Sequence, residues 1–225
     1  AVLVNKGSAS GSEILAGALQ DYGRAIIVGD SKTHGKGTVQ TLVNLNNADE
    51  DMGSLKVTTA SFFRIAGEST QLNGVSPDII IPSVLESMEL VEEFLPHALQ
   101  WSTAYPALYQ PLHNYQELVP VLKQSSEKRR EADPQFATYL KLVERLSERQ
   151  KSNEISLNME ERLTLARSEK ELQKLLEETE TSVGKEANTK TDVLLNESLH
   201  ILSDLVVRTQ LEAAKNEQAK PKKQS

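Results

Sequence analysis

Ala1-Val-Leu-Val4, Ser8-Ala-Ser-Gly-Ser-Glu13, Ile14 through Tyr22, and Ala25-Ile-Ile-Val28 form the stretch that decides the fold. The first run is short, apolar and rich in β-branched residues, and it reads as a buried strand. Ile14, Leu15, Ala18, Leu19 and Tyr22 recur at helical spacing, which predicts a helix over 12–22 with Gly23 at its C-terminal end. Residues 25–28 form a second short apolar run and predict another strand. A strand–helix–strand opening followed by further strands implies an α/β domain.

Working outward, residues 38–45 predict a third strand. Residues 55–65 alternate, with Leu55, Val57, Thr59, Ser61, Phe63 and Ile65 on one side and Lys56, Thr58, Ala60, Phe62 and Arg64 on the other, a strand pattern with one more polar face. Asn73-Gly74 marks a tight turn before a short strand at 79–81. The first domain is therefore expected over residues 1–82. Residues 83–132 form a connector and a first helix; Pro96, Pro106 and Pro111 interrupt a stretch holding Trp101, Tyr105 and Tyr109, which is expected to pack against its surroundings. Residues 133–212 predict a helical C-terminal domain. Asp133-Pro134 supplies an N-cap with proline at the first helical position, and Phe136, Tyr139, Leu140, Val143 and Leu146 form a stripe. A second helix is predicted over 160–180 with Leu163, Leu172, Leu175 and Leu176. A last helix carries Leu195, Leu199, Leu202 and Val206. Such stripes usually face a core. Residues 213–225, with lysines spaced among Gln, Asn and Pro221, predict a disordered basic tail.

The chain has 225 residues, a net charge of −7 and no cysteine. The acidic balance argues against nucleic-acid binding, which needs a clustered basic surface. The missing cysteine excludes disulfides, thiolate nucleophiles and cysteine-based zinc sites. No run is long and apolar enough to cross a bilayer as a helix. The chain starts without Met inside a strand pattern, so the natural protein is expected to continue upstream.

Two segments carry chemistry. Ser8 to Glu13 lies between a buried strand and a helix. Small residues there permit a sharp turn, and a helix N-terminus offers free amides and a partial positive charge to a developing oxyanion. A serine placed there is well sited as a nucleophile; Ser10-x-x-Glu13 is equally a capping box. In His34-Gly-Lys-Gly-Thr-Val-Gln40, glycines flank Lys36 and allow close backbone approach. A lysine stripped of water can act as a general base. The spacing is not that of a phosphate loop. An exposed lysine in a hairpin turn is the structural alternative.

Ser8-Ala-Ser-Gly-Ser-Glu-Ile14, Gln20-Asp-Tyr-Gly-Arg24, Val28-Gly29, Gly35-Lys-Gly-Thr-Val-Gln40 and Asn73-Gly-Val-Ser-Pro-Asp-Ile79, in this order, resemble the carboxy-terminal-processing, tail-specific serine proteases. Phe63 to Gln71 and the segment from Asp133 onward resemble the bacterial tail-specific branch. The resemblance implies an α/β protease core, partial here and related to crotonase and Clp-type cores, followed by an α-helical C-terminal domain. It implies Ser10 as nucleophile, Lys36 as base, Gln40 as a residue that helps hold the lysine, and the Gly11 amide as one oxyanion donor. It departs from the family pattern at Gly11, often alanine, at a longer loop over 30–34, and at His34, often aromatic. It implies no metal or organic cofactor, and substrates that are proteins with apolar C-termini. It further implies an upstream PDZ domain and N-terminal core, a lipoprotein-type adaptor among the partners, and a place in the periplasm, in part at the inner membrane. Two rivals stand beside this reading: a serine–histidine mechanism with His34 as base, and a non-catalytic helical scaffold that retains an inactive protease core.

Overall fold

The β-branched runs at the start of the chain become the centre of a small parallel sheet. In the computed structural model, which describes residues 1–46, 52–113, 115–151, 156–167, 170 and 192–218, β1 (Val2–Val4) pairs in parallel with β2 (Ile27–Gly29). Two further strands form a separate ribbon, β3 (Thr38–Asn44) and β4 (Ser54–Ser61), and β5 (Ile79–Ile80) joins the first sheet beside β2, giving the order β1-β2-β5. The central strand β2 is buried along its length, as expected for an apolar run inside a parallel sheet. Helix α1 (Gly11–Asp21) makes the crossover from β1 to β2.

The face that α1 buries differs from the sequence expectation. Ile14, Leu15 and Tyr22 are exposed, and Glu13, Ala16 and Gly17 are buried. The small residues let the helix approach Val4, Ile27 and Val75, with which Ala16 forms a core cluster. Glu13 is drawn inward by hydrogen bonds from loops distant in sequence.

The β3–β4 ribbon is antiparallel, with a bulge between Val39 and Gln40. It is largely exposed on both faces. The alternating pattern predicted a strand to residue 65, but β4 ends at Ser61. Phe62 N–H turns to Gly37 O (3.0 Å), and residues 64–67 close a turn through Gly67 N–H to Arg64 O (2.8 Å). The connector packs as expected. Ala104 N–H bonds Gly67 O at 2.8 Å and Ala107 N–H bonds Ile65 O at 3.0 Å. Trp101 Nε1–H donates to Ser69 O at 2.9 Å, and Tyr109 meets Tyr22 edge-on at 5.6 Å between centroids. Tyr105, in contrast, is fully exposed.

The chain divides into two compact units, one over Val2–Tyr115 and a second from Gln116 onward. The second consists of α2 (Val119–Ala132), α3 (Pro134–Lys151), a helical stretch over 159–167, and a last helix Val193–Gln218. Asp133 caps α3, accepting from Gln135 N–H at 2.8 Å. Phe136, Tyr139, Leu142 and Val143 of α3 are buried with Leu122 of α2 and Ile201 and Leu205 of the last helix. Leu140, predicted inside, is exposed, and so are Leu199 and Val206. The last helix instead buries Glu197, Ser198, Ile201 and Leu205. Arg129 of α2 meets that face, binding Glu197 (2.8 Å) and Asp204 (2.7 Å). The last helix also runs past residue 213, where a disordered tail was expected, to Gln218; Leu211-Glu-Ala-Ala-Lys-Asn-Glu-Gln218 is composed mostly of good helix formers. Leu172, Leu175, Leu176 and residues 219–225 lie outside the described residues.

Candidate active site

Ser10 stands where the turn after β1 enters α1, and its backbone is sharply bent. Ser10 is the N-cap of α1 with φ 57° and ψ −112°. This is a conformation that non-glycine residues seldom adopt and that occurs where surrounding structure enforces it, often at functional sites. The turn behind it is fixed locally: Asn5 N–H donates to Ser8 Oγ (3.1 Å) and Ser8 N–H to Asn5 O (2.9 Å). Glu13 N–H and Ile14 N–H both return to Ser10 O. Gly11 N–H, at the positive end of α1, has no protein acceptor among the described residues, which leaves it free for an anion.

Glu13 turns this serine loop into a site. Its carboxylate is fully buried. Oε2 accepts from Ser10 N–H at 2.8 Å and from Lys36 N–H at 2.9 Å. Oε1 accepts from Gly35 N–H at 2.6 Å and from the Thr33 hydroxyl. Thr33 Oγ1 in turn accepts from Val75 N–H at 2.8 Å. Because the 2.8 and 2.9 Å bonds meet on one oxygen, the amide nitrogens of Ser10 and Lys36 are no more than 5.7 Å apart. Two residues far apart in sequence are thus brought together by one carboxylate. The sequence flags Glu13 only as a helix cap, which it is; its second role depends on a loop that no local pattern announces.

The glycines around Lys36 answer to the segment 69–72. Gly35 has φ 89°, and a Cβ there would lie 2.9 Å from the Leu72 carbonyl. A Cβ on Gly37 would lie 2.6 Å from Gln71 N and from Ser69 Oγ. Lys36 itself is half-buried, and its Nζ has no hydrogen-bond or ion-pair partner among the described residues. Gln40, the residue after the β-bulge, is exposed, and its side chain makes no hydrogen bond to Lys36 among the described residues. The ring of His34 faces Glu92, with Nε2 3.2 Å from Oε2, while its backbone bridges Ser8 O and Glu92 N–H. Along α1 runs a cleft of about 320 Å³ whose walls include Ile14, Ala18, Tyr22, Phe62, Phe63 and Ile65. Its far end is anchored by Arg64, which binds Asp21 and donates to Gln20 Oε1 (2.8 Å).

A strained serine at a helix N-terminus is thus tied through one carboxylate to a lysine loop. Comparison with known proteins places the chain in a family. Residues 1–81 match peptidase family S41, and residues 85–207 match the C-terminal domain of tail specific protease. The tail-specific protease of Haemophilus influenzae is 37% identical over 164 residues, covering 70% of this chain and 24% of that protein. The carboxy-terminal-processing protease of Bartonella bacilliformis is 48% identical over 84 residues, covering 37% of this chain and 18% of that one. Among solved structures, the photosystem II D1 C-terminal processing protease is 46% identical over 36% of this chain and 20% of its own, with a TM-score of 0.32. The chain belongs to the tail-specific, carboxy-terminal-processing family of S41 serine peptidases. It spans about a quarter of the length of the first of these relatives and under a fifth of the second.

Proposed function

We propose that this chain carries the Ser–Lys half of an endopeptidase that selects proteins by apolar C-terminal tails. Ser10 Oγ attacks the scissile carbonyl carbon while the neutral amine of Lys36 takes its proton. The oxyanion that forms lies against Gly11 N–H at the start of α1. On collapse, the C–N bond breaks and Lys36 returns the proton to the departing amine. Water then attacks the acyl-enzyme, giving its proton to Lys36, and the ester C–O bond breaks as Lys36 passes that proton to Ser10 Oγ, releasing the acid. Gln40 steadies the lysine when substrate is bound. The observation that carries this reading is the shared Glu13 carboxylate, which joins the backbones of Ser10 and Lys36. The cleft beside α1 gives an apolar side chain a place to bind.

The relatives extend the proposal. Their names specify tails and carboxy termini, and this chain covers a minor share of each. We therefore assign complete activity to a longer polypeptide with a core of crotonase/Clp type and an upstream PDZ domain that receives the tail. It would work in the periplasm with a lipoprotein-type adaptor. In that full-length protein, Ser10→Ala and Lys36→Ala should each lower cleavage of an unfolded substrate with an apolar C-terminus by about 10⁴-fold or more. His34→Ala should keep most of the activity. Activity retained in Lys36→Ala and lost in His34→Ala would overturn the assignment.

A further inference from the structure

Three consecutive amides carry the Lys36 loop, and each donates to a buried side chain. Gly35 N–H and Lys36 N–H go to Glu13. Gly37 N–H goes to Oε1 of Gln71 at 2.9 Å. Gln71 is almost wholly buried. Its Nε2 donates to Leu99 O at 3.0 Å and to Glu92 Oε1 at 3.3 Å, and its own N–H is held by Ser69 Oγ at 3.1 Å. The same Glu92 faces His34 through its other carboxylate oxygen. Leu72 N–H adds a 2.8 Å bond to Gly35 O, so the two loops run side by side.

The geometry points to Gln71 as a positioning residue for Lys36, a role that rests on the Ser10–Lys36 reading above. A peptide group is planar, so a hydrogen bond to its N–H limits how the whole plane can turn. Glu13 restrains the plane before Lys36 Cα, through Lys36 N–H, and Leu72 N–H restrains the same plane through Gly35 O. Gln71 restrains the plane after it, through Gly37 N–H. With both planes restrained, φ and ψ of Lys36 are narrowed, and so is the direction of its Cα–Cβ bond. The amine then starts from a restrained root, with mainly its own rotamers left to choose. The position calls for a donor and an acceptor together. It must accept from Gly37 N–H and donate to a carbonyl and a carboxylate at one buried point, and a carboxamide does both. A carboxylate would set acceptor against acceptor, and an apolar residue would leave Gly37 N–H and Leu99 O without their partner. Gln71 touches neither substrate nor reacting atoms; it acts through the backbone of Gly37.

The test measures kcat and KM in the full-length protein, together with the rate at which a fluorophosphonate phosphonylates Ser10, the Oγ–P bond forming as fluoride leaves. Gln71→Leu is expected to lower kcat and the phosphonylation rate by about 10–100-fold, the scale of a misplacement near 1 Å, with KM within about threefold of wild type. Gln71→Glu, matched in size, should also lower kcat. The exchange Gln71→Glu with Glu92→Gln restores a donor–acceptor pair between these two side chains but leaves the new carboxylate against Leu99 O, so it should recover only part of that loss. Lys36→Ala runs beside them as control. Wild-type kcat in Gln71→Glu, with Lys36→Ala inactive, would overturn the positioning role and leave the dyad intact. A drop confined to KM, or no recovery in the exchanged pair, would also overturn it. Full activity in Lys36→Ala would instead remove the dyad on which the role rests. If Gln71→Leu does not fold, Gln71→Glu and the exchanged pair carry the test.

Discussion

The unit over Val2–Tyr115 and the unit from Gln116 onward solve the same problem by different means. In the helical unit, helices are located by apolar side chains: Leu122, Phe136, Leu142, Val143, Ile201 and Leu205 are buried together, with one charged cluster of Arg129, Glu197 and Asp204 between helices. In the α/β unit, the sheet is apolar but its loops are located by buried acceptors. Glu13 holds the serine and lysine loops, Gln71 holds Gly37, and Asp30 holds Lys6 N–H (2.9 Å) and the N–H and hydroxyl of Ser83. Apolar contact is non-directional and tolerates sliding. Hydrogen bonds to a buried carboxylate fix both distance and direction. On the proposed Ser10–Lys36 reading, this unit has to keep a nucleophile and a base in register, which needs the second kind of restraint.

The sharpest way to break this contrast is to remove one restraint of each kind. Glu13→Ala leaves the buried Gly35 amide and Thr33 hydroxyl and the partly buried Ser10 and Lys36 amides without their acceptor, at about 1–3 kcal/mol for each unsatisfied group that stays buried. Phe136→Ala empties a core position at about 3–5 kcal/mol. Urea unfolding should show both variants destabilised by about 3 kcal/mol or more. Assayed on their folded fractions, however, Glu13→Ala should lose about 100-fold or more in kcat, while Phe136→Ala should keep kcat near wild type. Equal losses of kcat would mean that Glu13 matters to folding alone.

A smaller effect is expected inside the helical unit. Arg129→Met removes the partner of Glu197, a largely buried carboxylate. Breaking such a pair from one side costs about 3–5 kcal/mol when fully buried. Because Arg129 is partly exposed, about 2 kcal/mol is expected, seen as a lower urea midpoint with unchanged slope. Arg129→Met with Glu197→Leu and Asp204→Leu should return to near wild-type stability. Failure of that triple variant to recover would show that the charges, rather than apolar burial, locate the last helix.

The smallest effect is a pH dependence. Burial pushes the Asp30 carboxyl above its usual range, and the nearby charge of Glu86 acts the same way; hydrogen bonds from Ser83 and Lys6 oppose both. A carboxyl whose folded pKa is raised binds its proton more tightly in the folded state. Its stabilising contribution is full below about pH 3.9, the unfolded value, and is lost as pH rises through the folded one. The stability of wild type minus that of Asp30→Asn should therefore decline as pH rises from about 3.9. A difference that grows with pH would mean that the hydrogen bonds outweigh burial.

These contrasts also explain what was legible in the sequence. The short strands near 1–4, 25–28 and 79–81, α1 and the helix cap at Asp133 were legible because apolar runs and capping residues act locally, whereas the parallel pairing of those strands appears only in the structure. The proposed dyad of Ser10 and Lys36 rests on family motifs read in the sequence around those two residues. What each helix buries was less so. Periodicity showed that Ile14, Leu15 and Tyr22 share a face, but not that small residues and Glu13 would take the inside of α1. On the last helix, the leucine stripe lost to a face carrying Glu197, because its partner Arg129 lies in another helix. Glu13 read as a cap, and Gln71 as one letter in a motif. Their acceptors' partners, Gly35, Lys36 and Gly37, are set by tertiary contact, which leaves no period in the sequence.

The most direct measurement concerns the nucleophile and its base together. The full-length protein is treated with a fluorophosphonate and the modified peptide is mapped by mass spectrometry, in wild type, Lys36→Ala and His34→Ala. The adduct should sit on Ser10 in wild type and in His34→Ala, and its formation should fall by about 10²-fold or more in Lys36→Ala. An adduct on Ser8 or Ser12, or undiminished labelling of Ser10 without Lys36, would contradict the Ser10–Lys36 dyad.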